Sequence, residues 1–384
     1  MSYLNIIVKK YDRLLLGAII LLCIFGTIML FSASSNLSLD ETGNRTDTLY
    51  LQAHLKRLLV GLSFMFFFMV LDYRKLKDWA VYIFGGAIAL LLLTKLRFLL
   101  GGYSSPARWL YLGPYSIQTS DIARLALIIF IAAFIHEKRE QIKEFYGGYL
   151  NIIFAVSSMV GLIIIQPDLS TAAMMMIISF FMLFLGGAKL RHMIVTIAIS
   201  LSVMTLVIMN WEYMRRRILT FFSPESVNAE YVYQIKQSLI SLGNGGLFGL
   251  GLGNSFGKNL FLPTPHTDFI FAIIGEETGL IGTLVVLILF IFIFQRGIKI
   301  TKECSDIFGI MLALGISCSF ILYAFINVAV VTNLVPTTGL AMPLVSYGGS
   351  GAVVHLASLG ILLNISQSKR SVAGGSNWRN RIYG

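Results

Sequence analysis

The sequence predicts an all-α polytopic membrane protein with ten transmembrane helices and a large extracytoplasmic loop between helices 7 and 8. Three observations carry that prediction. Hydrophobic residues make up 56% of the 384 and charged residues only 13%, with a mean hydropathy of +0.78, whereas soluble domains are about one-quarter charged. Ten apolar stretches approach the roughly 20 residues a helix needs to cross a bilayer. Lysine and arginine are shared unequally between alternate connections, the bias that sets orientation.

The first stretch, 13–34, is long enough to span and no small-residue cleavage site heads it, so it reads as a retained helix. Spans follow at 55–72, 79–97, 120–136, 148–166, 169–187, 192–211, 268–295, 307–331 and 340–365, and the whole chain, 1–384, reads as one membrane domain. An even number returns both termini to one side. With the N-terminus inside, the inner segments hold the larger share of the 30 lysines and arginines, so both termini, including the tail 366–384, are expected in the cytoplasm.

The outer segments still hold Arg45, Lys56, Arg57, Lys95, Arg97 and Arg108, and the loop 212–267 adds Arg215, Arg216, Arg217, Lys236 and Lys258. Long loops cross whatever their charge, which is the plain explanation. The sharper one is a surface for an anionic group at the outer face, such as a lipid phosphate or diphosphate. No nucleic-acid partner is expected from a net charge of +11 distributed around membrane spans in this way. Cys23, Cys304 and Cys318 form no CxxC pair and the five histidines no HxxxH spacing, which argues against a disulfide framework and a zinc site.

Within the long loop, "GNGGLFGLGLGNSFGKN" (243–259) invites a phosphate-loop reading and fails it, because Leu252 and Asn259 stand where a glycine and a Ser or Thr are needed. Tight turns and close backbone packing explain the glycines, although successive free amides can also bind an anion.

The stretch "LPTPHTDFIFAIIGEETGLIG" (262–282) sets Asp268, Glu276 and Glu277 into an otherwise apolar run. Thr267 or Asp268 could cap the eighth span; an acid at a membrane edge beside His266 could equally accept a proton. On a continuous helix Glu276 lies about 80° around from Asp268 and roughly 12 Å along the axis, and Glu277 about 180° around. That spacing excludes the roughly 5 Å carboxylate pair of a retaining glycosidase. The two glutamates must then meet a cation, a polar cavity or a proton inside the span, and Arg124, inside span four, is one candidate partner.

Three polar features recur at predicted outer ends. The segment 104–125 carries Arg108 and Trp109, too polar to span and expected to lie along or re-enter the interface; Trp109 also fits an aromatic belt. Asp168 sits in a Pro-Asp turn between spans five and six. "PTTGLAMPLVSYGGSGAVVH" (336–355) brings Pro343, Ser346, Gly348 and Gly349 into span ten, suggesting a broken or closely packed helix.

These segments, in this order, resemble the SEDS family of bacterial cell-wall proteins: FtsW, RodA and SpoVE. The resemblance runs from "YDRLLLGAIILLCIFGTIMLFSAS" through span ten, and its most specific part is "YQIKQSLISLGNGGLFGLGLGNSFGKNLFLPTPHTDFIFAIIGEETGLIG" followed by "SYGGS". It implies ten transmembrane helices in the bacterial cytoplasmic (inner) membrane. It implies a peptidoglycan glycosyltransferase that polymerises lipid II and releases undecaprenyl diphosphate. A class B penicillin-binding protein transpeptidase and other divisome or elongasome membrane proteins are the implied partners.

Carried over by motif, the family's essential aspartate falls on Asp268 and its RW pair on Arg108 and Trp109. The loop lysine falls on Lys258, the PD motif on Asp168, the EE pair on Glu276 and Glu277, and the YQ and QS elements on Gln234, Gln237 and Ser238. Departures fall at Ala107, Asp121, Ser170, Thr264 and Gly351. Thr337 in "PTTG" leans toward FtsW and a role in division over elongation. The reading that follows has Asp268 as general base, with Arg108, Lys258 and arginines 215 to 217 stabilising the leaving diphosphate, and His266 beside them. A divalent cation, magnesium or manganese, could share that work, although no all-carboxylate cage demands one. The competing readings are a lipid II flippase or transporter and a scaffold for division proteins.

Overall fold

The computed structural model describes residues 11–101, 108–112, 115–222, 229–258 and 266–368. The basic residues at positions 9, 10 and 369–381, the departures Ala107 and Thr264, and the tail beyond 368 lie outside the described residues. Among the described residues, apolar helices build an all-α membrane bundle: α1 Arg13–Glu41, α2 Leu49–Val70, α3 Ala80–Gly101, α4 Thr119–Lys138, α5 Leu150–Ile165, α6 Leu169–Leu185, α7 Leu190–Asn210, then α10 Ile270–Glu303, α11 Ile307–Val331 and α12 Ser350–Ile365. Eight are long and apolar enough to cross a membrane, one of them counted from Phe145, and α6 and α12 are shorter apolar helices.

Between α7 and α10 the described residues include two more helices, α8 Glu212–Phe222 and α9 Ala229–Gly245. Burial orders the bundle. In α11, 89% of the most apolar window is buried, against 11% in α7, so α11 is the axis and α7 faces lipid. Around α11 stand α4, α6 and α10, while α12 packs along α2 and α1 along α10.

The helix starts follow local chemistry. Asp12, Asp168 and Asp306 each accept from a backbone amide three residues on, at 3.0, 3.3 and 2.9 Å, and so satisfy donors that a first helical turn leaves open. Asp12 also pairs with Arg296, which ties the start of α1 to α10. At the same end of the bundle Asn364 accepts from Tyr73 N at 3.0 Å and donates to Met69 O at 2.7 Å.

Two expectations are corrected, and the segment 104–125 acquires a definite form. The eighth span begins at Ile270 with Phe269, not Thr267 or Asp268, in the capping position; the Asp268 carbonyl accepts from Asn327 Nδ2 at 2.8 Å. The tenth span begins at Ser350 rather than 340, because residues 342–346 close a turn in which Ser346 Oγ accepts from Met342 N at 2.9 Å. Within 104–125, Trp109–Leu112 (β1) and Tyr115–Gln118 (β2) pair as an antiparallel hairpin with Trp109 opposite Gln118, and α4 begins at Thr119.

Candidate active site

The hairpin, the turn 339–349 and α8 close over the end of the bundle around a cavity of about 420 Å³. Arg57 reaches it from α2, Arg108 and Trp109 from the hairpin, Asp121 from α4, Arg217 from α8, Tyr323 from α11 and His355 from α12, with Thr267 and Asp268 on the wall. Gly339 sits between the key charges. A Cβ built there would stand 3.7 Å from Asp268 Oδ2 and 4.0 Å from an Arg217 guanidinium nitrogen. Burial pushes the Asp268 carboxyl above the ordinary carboxylate range, and Arg217 pulls it back.

Arg57 lies over the Tyr347 ring, 4.6 Å to its centroid, and one of its terminal nitrogens is buried without a hydrogen-bond partner among the described residues. Arg108 donates to the Pro167 carbonyl while its Nε is likewise buried and, among the described residues, unpartnered. Buried donors of this kind ordinarily find an acceptor, and a bound anion supplies one. The Trp109 ring lies on the Gly349 backbone, where a Cβ would come within 3.3 Å of it. A second, apolar groove of about 200 Å³ opens beside the cavity between α6, α7, α8 and α11, lined by Met174, Ile177, Met204 and Ile218, with Arg108 and Arg217 shared by both.

Beneath the cavity, Arg124 stands 3.7 Å from Asp121, donates to Ser319 Oγ at 2.7 Å, meets His355 at 3.3 Å and covers the Tyr323 ring at 4.4 Å. Its acidic partner is therefore Asp121 and not the glutamate pair. Asp168, besides capping α6, accepts from Gln118 at 3.2 Å and Ser120 at 3.4 Å, fastening hairpin to bundle.

The other predicted site residues lie elsewhere. His266 is wedged between the rings of Tyr50 and Tyr347, at 4.6 and 5.4 Å, and burial pushes its imidazole down to about 4, so it is neutral at physiological pH. Lys258 is buried 3.5 Å from Glu277 rather than on the cavity wall. Ser238 donates to Val331 O at 2.8 Å and docks α9 on α11; Gln234 and Gln237 are half-buried on the same helix. Arg215 and Arg216 point outward, the latter pairing with Glu212.

Arg57 was not singled out among the outer cations by sequence, nor Arg217 from its two neighbours. Helical periodicity held the signal. Arg57 shares a face with His54 and Gly61, two of the three buried residues of α2, and Arg217 falls three residues after buried Met214.

Comparison with known proteins agrees with this architecture. The cell cycle protein family model of FtsW, RodA and SpoVE matches residues 12–371. The chain belongs to the FtsW/RodA/SpoVE family. Among its relatives, the probable peptidoglycan glycosyltransferase FtsW of Geobacter metallireducens is 36% identical over 363 residues, covering 94% of this chain and 95% of that one. Stage V sporulation protein E of Bacillus subtilis is also 36% identical, over 94% and 98% of the two chains. A solved chain from a peptidoglycan synthase complex that coordinates polymerization and crosslinking superposes with a TM-score of 0.77 at 25% identity, covering 94% of this chain and 98% of that one. Thermus thermophilus RodA shares the fold at a TM-score of 0.69.

Proposed function

We propose that this FtsW/RodA/SpoVE-family protein is a peptidoglycan glycosyltransferase that joins lipid II units into glycan strands within the 420 Å³ cavity. The observation that carries the reading is a cavity-wall carboxylate, Asp268, set among Arg57, Arg108 and Arg217 beside an apolar groove. That arrangement suits a substrate with an apolar chain, a diphosphate and a reacting sugar. The activity named for the curated relatives points the same way.

In the proposed reaction Asp268 takes the proton of the acceptor sugar's 4-hydroxyl as that oxygen attacks the anomeric carbon of the lipid-linked chain. The new C–O bond forms, and the bond to the diphosphate breaks with its electron pair leaving on undecaprenyl diphosphate. Burial raises the basicity of the Asp268 carboxylate, and the Arg217 charge opposes that rise by favouring the ionised form. Arg108 and Arg217, shared with the groove, meet the departing diphosphate; Arg57, which lines the cavity alone, meets the diphosphate that the acceptor retains.

Among the described residues no three His, Cys, Asp or Glu gather to hold a metal ion. A magnesium or manganese ion in this site would therefore be carried by the diphosphate, with Asp268 and Asp121 the carboxylates facing it. Below Arg124 the bundle is filled by Leu127, Ile131, Met175 and Ile178, packing that favours chemistry at one face over a charged path through the membrane. The cavity is assigned to the outer face of the cytoplasmic membrane with both termini inside. A role in division is favoured over elongation, with a class B penicillin-binding protein supplying crosslinking, and a solved relative that comes from such a coordinating complex supports the pairing.

The test is polymerisation of lipid II by the purified full-length protein with its transpeptidase partner. Asp268→Asn is expected to lower the rate by about a hundredfold or more while lipid II still binds. A folded Asp268→Asn protein polymerising at the wild-type rate would remove Asp268 as the base, and transport of labelled lipid II without polymer would favour the transporter reading.

A further inference from the structure

Helix α10 is broken nine residues in, at Gly279, whose φ of 67° and ψ of −166° are not helical. A straight helix would pair the carbonyls of Glu276 and Glu277 with the amides of Leu280 and Ile281. Instead the glycine-rich turn takes up all four groups. Leu250 N and Gly251 N donate to the two carbonyls at 2.9 and 3.0 Å, and the two amides donate to the carbonyls of Gly246 and Leu247 at 2.9 and 3.3 Å. Residues 246–251 are thus spliced into the helix, with a bonding partner for each group that the break exposes.

Both glutamate side chains hold the same segment. Glu276, fully buried, accepts from Ser255 Oγ, from the amides of Phe256 and Gly257 at 3.3 and 3.1 Å, and from Asn244 at 3.5 Å. Glu277 accepts from Ser32 of α1 at 2.7 Å and stands 3.5 Å from Lys258, which itself donates to Gly253 O. The short helical piece that this assembly aims, 270–278, begins two residues after Asp268.

We infer that Glu276, Glu277 and Lys258 are positioning residues: they clamp residues 246–258 into the break of α10 and so fix where Asp268 stands in the cavity. The inference rests on Asp268 being the base, as proposed above. It gives the buried acids and the conspicuous glycines one joint role and separates Lys258 from the substrate cations. Since Asp268 acts in the transition state, loosening the clamp lowers kcat and leaves the binding of lipid II largely unchanged.

The experiment is steady-state lipid II polymerisation by the full chain with its transpeptidase partner, comparing Lys258→Met, Glu277→Gln, the double variant and Asp268→Asn. Each single change is expected to lower kcat by about ten- to a hundredfold with KM changed less than about twofold. The double variant should be no slower than the slower single, because the pair acts as one unit. A Lys258→Met protein with raised KM and unchanged kcat would overturn the inference, as would two single losses that multiply, or no loss in either. If Asp268→Asn stays active, the catalytic reading fails first; if it is dead while the clamp variants are normal, only the positioning inference fails. Should a charge variant fail to bind lipid II for want of folding, Ser255→Ala and Asn244→Ala each remove a single bond to Glu276. Those are expected to lower kcat about two- to fivefold at constant KM, and wild-type kcat in both would equally overturn the inference.

Discussion

Gly279→Ala is the smallest change that tests whether the break in α10 matters. The cost comes in two parts. A non-glycine residue held at φ 67° and ψ −166° is strained by about 1–3 kcal/mol. The new Cβ would also fall 2.5 Å from Gly249 N and from Leu247 O, both backbone atoms that no rotamer change can move. If the turn withdraws, the Leu280 and Ile281 amides lose their acceptors, at about 1–3 kcal/mol for each buried donor left bare. The chain has one escape, which is to straighten α10 and restore its own bonds from 276 to 280 and 277 to 281. That recovers stability but re-aims the nine residues that follow Phe269, and a displacement of about 1 Å at a catalytic group can cost about a hundredfold in rate. Both routes predict the same kinetic result: polymerisation down by about a hundredfold, with a thermal unfolding shift that depends on the route. The control is Gly85→Ala in α3, where an added Cβ meets nothing within 4 Å and both rate and melting should hold. A folded Gly279→Ala protein polymerising at the wild-type rate would refute the reasoning.

Arg217→Gln removes the charge that draws the Asp268 carboxyl down, so burial acts unopposed and its pKa rises. A base works only when deprotonated; the acid limb of the kcat/KM profile should therefore move to higher pH, and a limb that stayed or moved down would dissociate Arg217 from Asp268. His266, pushed down to about 4 by burial, is neutral at physiological pH and adds no charge of its own. Arg57→Ala should raise the KM for lipid II about tenfold and Arg57→Lys recover part of it, as expected for a cation lying on an aromatic face; an unchanged KM would remove Arg57 from the substrate site. Asp168→Ala deletes the α6 cap and leaves Gln118 and Ser120 without its acceptor. It is expected to destabilise by about 0.5–2 kcal/mol, seen as earlier thermal unfolding in detergent, and equal melting would contradict the capping role.

Hydropathy alone found each of the apolar helices, most of them to within several residues, because lipid-facing α7 and central α11 are both apolar whatever their neighbours; the start of α12, ten residues late, is the main miss. What it could not see was where apolar sequence stops being helical. The segment 340–349 is hydrophobic enough to continue a span, yet the Met342–Ser346 turn and Asn327, whose side chain bonds the carbonyls of Asp268 and Leu340, hold it as irregular backbone facing the cavity. The same blindness applied to charge. Residues Arg215, Arg216 and Arg217 are equivalent as composition, and only the register of α8 separates the cavity arginine from two outward ones. Glu276 and Glu277 were legible as expensive, but their partners come from α1 and from the loop 246–258, at sequence separations that periodicity does not reach.

The Lys258–Glu277 pair poses the energetic question most sharply, since both side chains are almost wholly buried. Desolvating two charges commonly costs as much as their attraction returns, and apolar replacements of such pairs are often neutral or stabilising. Stability therefore does not explain why a membrane helix carries this acid. Directional requirement does: a carboxylate that must be met by Ser32 and Lys258 at once accepts one register of the turn against the break, whereas an apolar contact would tolerate a slip. The double variant Lys258→Met, Glu277→Gln separates the two. It is expected to unfold at no lower temperature than the wild type while polymerising more slowly, which assigns the pair to geometry. Stability and rate falling together would assign it to folding.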